Sequence, residues 1–264
     1  MDTFHLVKDI NAETDVKIGS IKTLSNGGKM AYVSYKDRSL AIQIPEMYAP
    51  FGMNTYVNED TGIQKHSIEL SFRNIDDRES LKNFKKFIED IDNKVIDTAF
   101  QNSQAWFKKK YSSKEVLEAL YTSSVKYPKD KETGEIITKY PPTFKVNLPE
   151  REGSFRFEAY NKNQESVNLK EITTKGSKFI CIIQCGGVWI AGGKFGVTWK
   201  AVQLQVTPPQ TISGFSIKNV KSDNIDDDNE EDISEVTQKL DSTEVDDSDE
   251  DDDDEDDDSD DEDI

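Results

Sequence analysis

Cysteine and histidine are almost missing from this sequence, with two of each in 264 residues. Cys181 and Cys185 would stand about 13 Å apart in an extended strand, too far for a disulfide. They read as small core residues of a reduced, intracellular protein. His5 and His66 are far apart in the chain and show no zinc-site spacing, so no metal is expected. No apolar run is long enough to cross a membrane and no signal-peptide pattern is present, which sets the expectation of an intracellular protein without membrane partners. Also missing are a glycine-rich loop ending in Gly-Lys-Ser/Thr, a Gly-x-Ser-x-Gly turn and a paired-histidine helix. Neither an enzyme nor a cofactor is therefore expected.

Positive charge is missing from one stretch only. Residues 222–264 hold 26 acidic residues and one lysine, a net of −25, whereas residues 1–221 hold 32 basic and 26 acidic, a net of +6. The excess is concentrated further, since residues 108–221 hold 19 basic and 10 acidic residues. The overall charge of −19 thus hides a basic body with an acidic tail. A basic surface attracts phosphate polymers and releases their counterions. The run DDSDEDDDDEDDDSDDEDI at 246–264 repels itself and has almost nothing apolar to bury, so a disordered segment is expected over 222–264. Its Asp-x-Asp spacings lack the fixed glycine and folded loop of a calcium site. Tethered beside the basic body, such a polyanion competes for the same surface at high effective concentration.

Residues 1–221 are expected to form one domain. VKIGSIKTL (16–24) and KMAYVSY (29–35) flank Asn26-Gly27-Gly28, a hairpin signal. LAIQI (40–44) and HSIELSF (66–72) read as strands, with an irregular, aromatic stretch between them at 45–62. Leu81, Phe84, Ile88, Ile91 and Val95 recur at helical spacing behind a cap at Asp76 or Asp77. A second short helix starts near Ser112 with Glu115 as its capping-box partner, so a helical insertion spans about 77–124. Strands then resume. TFKVNL (143–148) and SFRFEAY (154–160) suggest a hairpin, KFICIIQC (178–185) a central strand, and VWIAGGKFGVTWKAVQLQV (188–206) two strands around a glycine-rich connection. The short run GFSIKNV (214–220) leads into the tail. Many short strands interrupted by one helical insertion predict a mainly β fold, a small barrel with helices.

Basic residues interleave with aromatics between 139 and 200. Phe195, Val197 and Trp199 share one strand face, opposite Lys194, Thr198 and Lys200, but farther on Val202, Leu204 and Val206 take the lysines' parity. Either a bulge near Lys200 re-aims the chain, or Phe195 and Trp199 lie on an outer face. Outward rings beside lysines would form a stacking platform for nucleic-acid bases. Candidate nucleic-acid-binding residues are Trp189, Trp199, Lys194, Lys200, Arg156, Tyr160 and Phe195, with Lys109 and Lys110 beside Trp106, Phe107 and Tyr111. For Trp189, Trp199 and Tyr160 a core position and a stacking position both remain open, whereas Phe144, Phe155, Phe157 and Phe179 read as core.

The order of HSIELSFRN, the amphipathic helix, PPTFKVNLPEREGSFRFEAY, TTKGSKFICIIQCGGVW, VTWKAVQLQV and the acidic tail resembles the single-stranded-DNA-binding protein family of T-seven-type phages, which has relatives in nucleocytoplasmic large DNA viruses. The resemblance covers about residues 66–206 and 223–264. It implies an oligonucleotide/oligosaccharide-binding (OB) barrel, homodimers, and a role coating single-stranded DNA in replication, recombination and repair at sites of viral DNA replication, nuclear or cytoplasmic. It also implies an acidic C-terminus that competes with DNA and recruits DNA polymerase and helicase or primase. Trp189 then falls where the family stacks bases, and Asp260, Asp261, Glu262 and Asp263 match its terminal acidic run. Ile264 departs from the family's terminal aromatic residue and would serve as an apolar anchor for a partner. The alternative reading is a histone-chaperone-like scaffold in which the tail itself binds basic proteins.

Overall fold

Strand Thr143–Leu148 shows the rule that builds this molecule: Phe144, Val146 and Leu148 are buried, while Thr143, Lys145 and Asn147 lie on the other face. Successive side chains leave opposite sides of a pleated backbone, so an alternating sequence becomes a wall with one apolar face. In the computed structural model, residues 4–209 are described apart from 25, 26, 60 and 173. The expected boundary near 221, the run 214–220 and the tail 222–264 lie outside the described residues.

The first part carries strands β1 (His5–Leu6), β2 (Val16–Thr23), β3 (Lys29–Tyr35), β4 (Arg38–Ser39), β5 (Ala41–Gln43), β6 (Met47–Tyr48), β7 (Met53–Val57) and β8 (Gln64–Ser71), with a one-turn helix α1 (Ala12–Asp15). Helices α2 (Glu79–Gln101), α3 (Ser103–Phe107) and α4 (Lys114–Leu120) follow. Strands β9 (Tyr121–Thr122), β10 (Val125–Lys126), β11 (Thr143–Leu148), β12 (Glu150–Arg151), β13 (Ser154–Phe155), β14 (Glu158–Tyr160), β15 (Lys178–Ala191) and β16 (Lys194–Thr207) complete it.

The pairings close a ring. β6 pairs with β8, β8 with β11, β11 with β16, β16 with β15, and β15 returns to β6. Only β11 and β16 run parallel within that ring, through Asn147 and Lys200. Five strands closed in the spatial order first, second, third, fifth, fourth make a small Greek-key barrel of the OB type. The mainly β fold with a helical insertion is as expected, and the helices lie between β8 and β11. The β2–β3 ribbon extends the sheet outward by pairing with β15, with Val188 opposite Ala31 and Trp189 opposite Met30.

α2 plugs the barrel. Its 3.6-residue repeat buries Leu81, Phe84, Ile88, Ile91 and Val95 along one stripe. Phe84 lies 5.8 Å from Phe72 and 5.1 Å from Phe144, and Phe144 lies 6.0 Å from Trp199. Burying side chains of this size contributes about 1.5–3 kcal/mol each. The cap differs from expectation: Asp76 and Asp77 sit in a preceding 3-10 turn, and Arg78 occupies the cap position without a side-chain bond. At α4 the cap is Ser113 rather than Ser112, and its hydroxyl bonds Glu115.

Two further expectations are corrected. Residues 53–57 form a regular strand, β7, inside the stretch read as irregular. The segment 154–160 makes no hairpin with 143–148. Residues 154–155 turn back on 150–151, and β14 runs parallel to β16 with Tyr160 opposite Gln205. The turn at Glu152 and Gly153 falls inside that miniature hairpin, both residues having positive φ.

Candidate nucleic-acid interface

The parity switch in the last strand pair is produced by bulges. Ile182 pairs with Gln203 but Ile183 with Ala201, so Val202 is the extra residue on β16. On β15 the register slips again between Cys185 and Gly187, making Gly186 the extra residue. Each bulge reverses which parity faces inward. Phe195, Trp199 and Ala201 are therefore buried on one side of the β16 bulge, Leu204 and Val206 on the other.

This corrects two of the candidate stacking residues. Phe195 is fully buried, with Trp106, Phe107 and Tyr121 packed around its ring at 6.4, 5.3 and 5.1 Å. Trp199 is 2% exposed, and its indole Nε1–H meets no acceptor among the described residues. Neither ring offers a face to a base, because the bulge near Lys200 turned both inward.

Trp189 has the opposite placement. Its neighbours Val188 and Ile190 pack toward the core, so alternation turns the indole outward, where it is partly exposed. It lies across Gly196, its cross-strand partner. A Cβ on that glycine would stand 2.9 Å from the indole Cζ2 and 3.0 Å from the Thr122 carbonyl. The glycine thus lets the ring pack closely against the outer surface of the sheet. Beyond it Gly186 makes room for two neighbouring side chains, Thr198 Oγ1 and Lys200 Cε coming within 2.6 and 3.4 Å of where its Cβ would be.

Lysines gather around this surface. Lys194 is exposed at the β15–β16 turn opposite Ala191. Lys200 lies on the same outer face, opposite Gln184. The contacts of Phe107 with Phe195 bring the end of α3 beside that turn, so Lys108, Lys109 and Lys110 emerge there, all exposed. Lys109 Nζ sits 5.2 Å above the Tyr111 ring. Lys29, opposite Ile190, donates to the Trp106 carbonyl at 2.9 Å and ties α3 to the ribbon. A second tie is Asp92 of α2, buried, which accepts from Tyr121 Oη at 2.6 Å, from Ser124 N and Oγ at 2.9 and 2.7 Å, and from Ser123 Oγ at 3.2 Å. Burial raises its pKa above the ordinary aspartate value, against the pull of those four donors.

The remaining candidates lie elsewhere. Tyr160 sits on β14, where its hydroxyl donates to Glu158 at 3.0 Å, and that bond to a carboxylate raises the phenol pKa. Gln203 Nε2 also donates to Glu158, at 3.0 Å, beside a depression of about 430 Å³ lined by Tyr160, Gln164 and Gln203. A carboxylate at the rim makes this a poor seat for phosphate. Arg156 is exposed in the loop before β14. The structure thus brings together Trp189, Lys194, Lys200, Lys109 and Lys110, and sets Arg156 and Tyr160 apart. Asp260, Asp261, Glu262, Asp263 and Ile264 lie outside the described residues. Sequence reasoning missed Met30, Tyr32 and Lys22, which adjoin Trp189 on the same outer face. The alternation in KMAYVSY places Tyr32 opposite the buried Ala31, Val33 and Tyr35, but only the strand pairing shows which strand lies next to it.

Among the described residues no helix is long and apolar enough to cross a membrane, and no group of three or more His, Cys, Asp or Glu could hold a metal ion.

A family model described as a family of unknown function (DUF5871) matches residues 70–223. No curated protein matches the sequence. Among solved structures, the single-stranded DNA-binding protein from bacteriophage Enc34 in complex with ssDNA is similar at 15% identity and a TM-score of 0.42, covering 75% of this chain and 99% of that one. The single-stranded DNA binding protein gp2.5 encoded by bacteriophage T7 is similar at 12% identity and a TM-score of 0.40, covering 67% of this chain and 91% of that one. At these scores no residue role or ligand is carried across.

Proposed function

The chain belongs to DUF5871, a family of unknown function, and from that starting point we propose that it is a single-stranded DNA-binding protein and not an enzyme. The observation that carries the reading is Trp189, a partly exposed indole packed across Gly196 on the outer sheet surface, with Lys194 and Lys200 on the paired strand. A strand of DNA needs two things from a sequence-tolerant surface: rings for its bases and cations for its phosphates. Stacking on one aromatic ring is worth about 1–3 kcal/mol per base. The lysines add affinity that falls with salt, because each neutralised phosphate releases counterions. In a barrel of this class the loop joining the last two strands borders the oligonucleotide face. Here that loop is Ala191–Lys194, beside Lys108, Lys109 and Lys110.

In this reading the protein coats and protects single strands in replication, recombination and repair, as a homodimer at sites of viral DNA replication. The acidic tail competes with DNA for the basic face. Displaced by a strand, it presents Asp260, Asp261, Glu262, Asp263 and Ile264 to a DNA polymerase and to a helicase or primase. The net of −25 on residues 222–264 against +6 on residues 1–221 supports that competition.

The test is binding of the full chain, and of a chain ending at Lys221, to fluorescent oligothymidine and to duplex of equal length across a salt series. The expected result is a salt-sensitive preference for the single strand with quenching of tryptophan fluorescence, tighter in the shorter chain. Equal affinity of the two chains would remove the competition. No preference for the single strand, with binding of histones by the full chain, would replace the whole reading with an acidic scaffold for basic proteins.

A further inference from the structure

The register of four strands lays one row of side chains across the outer surface. Lys22 of β2 faces Met30 of β3, Met30 faces Trp189 of β15, and Trp189 faces Gly196 of β16. Tyr32 stands two residues along from Met30 on the same face, because Ala31 and Val33 between and beyond are buried. It is therefore a diagonal neighbour of Trp189, about 7–8 Å away between backbones. Tyr32 is 50% exposed.

The positions flanking it on β2 and β15 are small residues. On the β2 side the register slips between Ile18 and Ile21, so Gly19 and Ser20 are what stands opposite Tyr32, and a Cβ on Gly19 would be 3.5 Å from the Tyr32 carbonyl. On the β15 side Gly187 precedes Val188, the partner of Ala31, and the Met30 side chain lies over it, with Sδ 3.3 Å from where a Cβ would be. Gly19, Ser20 and Gly187 carry no bulky side chain of their own beside the ring. The contact over its face is Lys22 Nζ, 5.0 Å from the centroid. At the other end of β2, Lys17 is paired with Asp37 at 3.0 Å. Lys22 is directed to the aromatic ring instead of to a carboxylate.

We infer that Tyr32 and Lys22 form a second stacking subsite for single-stranded DNA, carried by the N-terminal ribbon and entered by a strand that has crossed Trp189. The inference rests on the proposed single-strand binding and adds the direction in which the strand leaves the barrel. A cation over an exposed ring shifts an equilibrium only about two- to fivefold. A base stacked on that ring shifts it about five- to 150-fold. The base wins the ring face, and the displaced ammonium of Lys22 is left where the adjoining phosphate must pass.

The experiment uses the full chain and its Trp189→Ala, Tyr32→Ala and Lys22→Gln variants. Binding is measured on oligothymidines of about 4 and about 16 nucleotides, lengths that bracket the usual span of one barrel. Tyr32→Ala is expected to bind the long oligomer at least about fivefold more weakly and the short one as the parent does. Trp189→Ala weakens both. Lys22→Gln lowers the slope of log affinity against log salt on the long oligomer by about 0.7, one phosphate contact. Should Tyr32→Ala perturb folding, seen as a lowered thermal midpoint, the Lys22→Gln slope decides. Parent-like binding of the long oligomer by both ribbon variants, with Trp189→Ala weakened, overturns the second subsite and leaves the single-strand reading standing. A parent that binds neither oligomer overturns both.

Discussion

Trp189 and Trp199 lie on the two arms of one β-ribbon, ten residues apart in sequence, and have opposite surroundings. Trp199 faces Cys185 across the ribbon on the inner side, 2% exposed among Phe144 and the barrel core. Trp189 faces Gly196 on the outer side and is not part of that core. Composition does not distinguish them, since both sit in glycine- and lysine-rich surroundings. The bulges at Gly186 and Val202 and the residue opposite do. An aromatic side chain across from a glycine covers bare backbone and keeps its far face for a ligand. One across from a buried thiol completes a core.

Removing the inner ring should have the largest effect. Trp199→Ala is expected to cost about 3–5 kcal/mol of stability, because a buried indole leaves a cavity that the closed barrel cannot collapse. Thermal or urea unfolding measures it. Trp199→Phe should cost much less, since it fills most of the volume and removes an indole N–H that has no acceptor among the described residues. The thiols report the same event. Burial pushes the Cys185 thiol up to about 12 and Cys181 higher still, so neither forms thiolate near neutral pH while folded. A thiol reagent should leave the native parent unlabelled at pH 8 and label Trp199→Ala at a rate that tracks its unfolding. Rapid labelling of the native parent would contradict a dry inner face.

Removing the outer ring should reverse the pattern. Trp189→Ala is expected to change stability by less than about 1 kcal/mol and to weaken oligothymidine binding by about 1–3 kcal/mol, or five- to 150-fold. If instead the barrel unfolds and the residual folded fraction binds as before, Trp189 belongs to the core and the comparison collapses.

Much of this was legible in the chain itself, because the signals are local. The hairpin of β2 and β3 announces itself in Asn26-Gly27-Gly28, and α2 in apolar positions three and four apart. What was not legible depends on partners distant in sequence. Phe195 and Trp199 could have been outside or inside, since either a bulge or an exposed face explains the same parity, and only the pairing with β15 decides. β7 is hidden by flanking proline and glycine, and its strand form comes from β8, which pairs with it from Met53 to Val57. β14 reads as a hairpin arm but is held parallel to β16 by contacts more than forty residues away. Tyr32 escaped notice for the same reason: an outward tyrosine in an alternating strand gains meaning only when Trp189 is its neighbour.

The smallest expected effect concerns the seat of the outer ring and tests the comparison most finely. In Gly196→Ala the new Cβ meets the Trp189 ring on one side and the backbone carbonyl of Thr122 on the other, at 2.9 and 3.0 Å. The carbonyl belongs to β9, which is paired with β16 at this residue and has little freedom to withdraw. The indole has solvent beyond it and can tilt away. Overpacking of this kind in a core costs about 1–3 kcal/mol; here, with only the carbonyl side unyielding, a loss of about 1 kcal/mol of stability is expected. Tryptophan emission should shift toward that of a more solvated indole, and oligothymidine affinity should fall by less than it does in Trp189→Ala, because the ring is displaced and not lost. An unshifted emission with unchanged affinity would mean that the indole does not lie on Gly196, and that the outer face owes its platform to another residue.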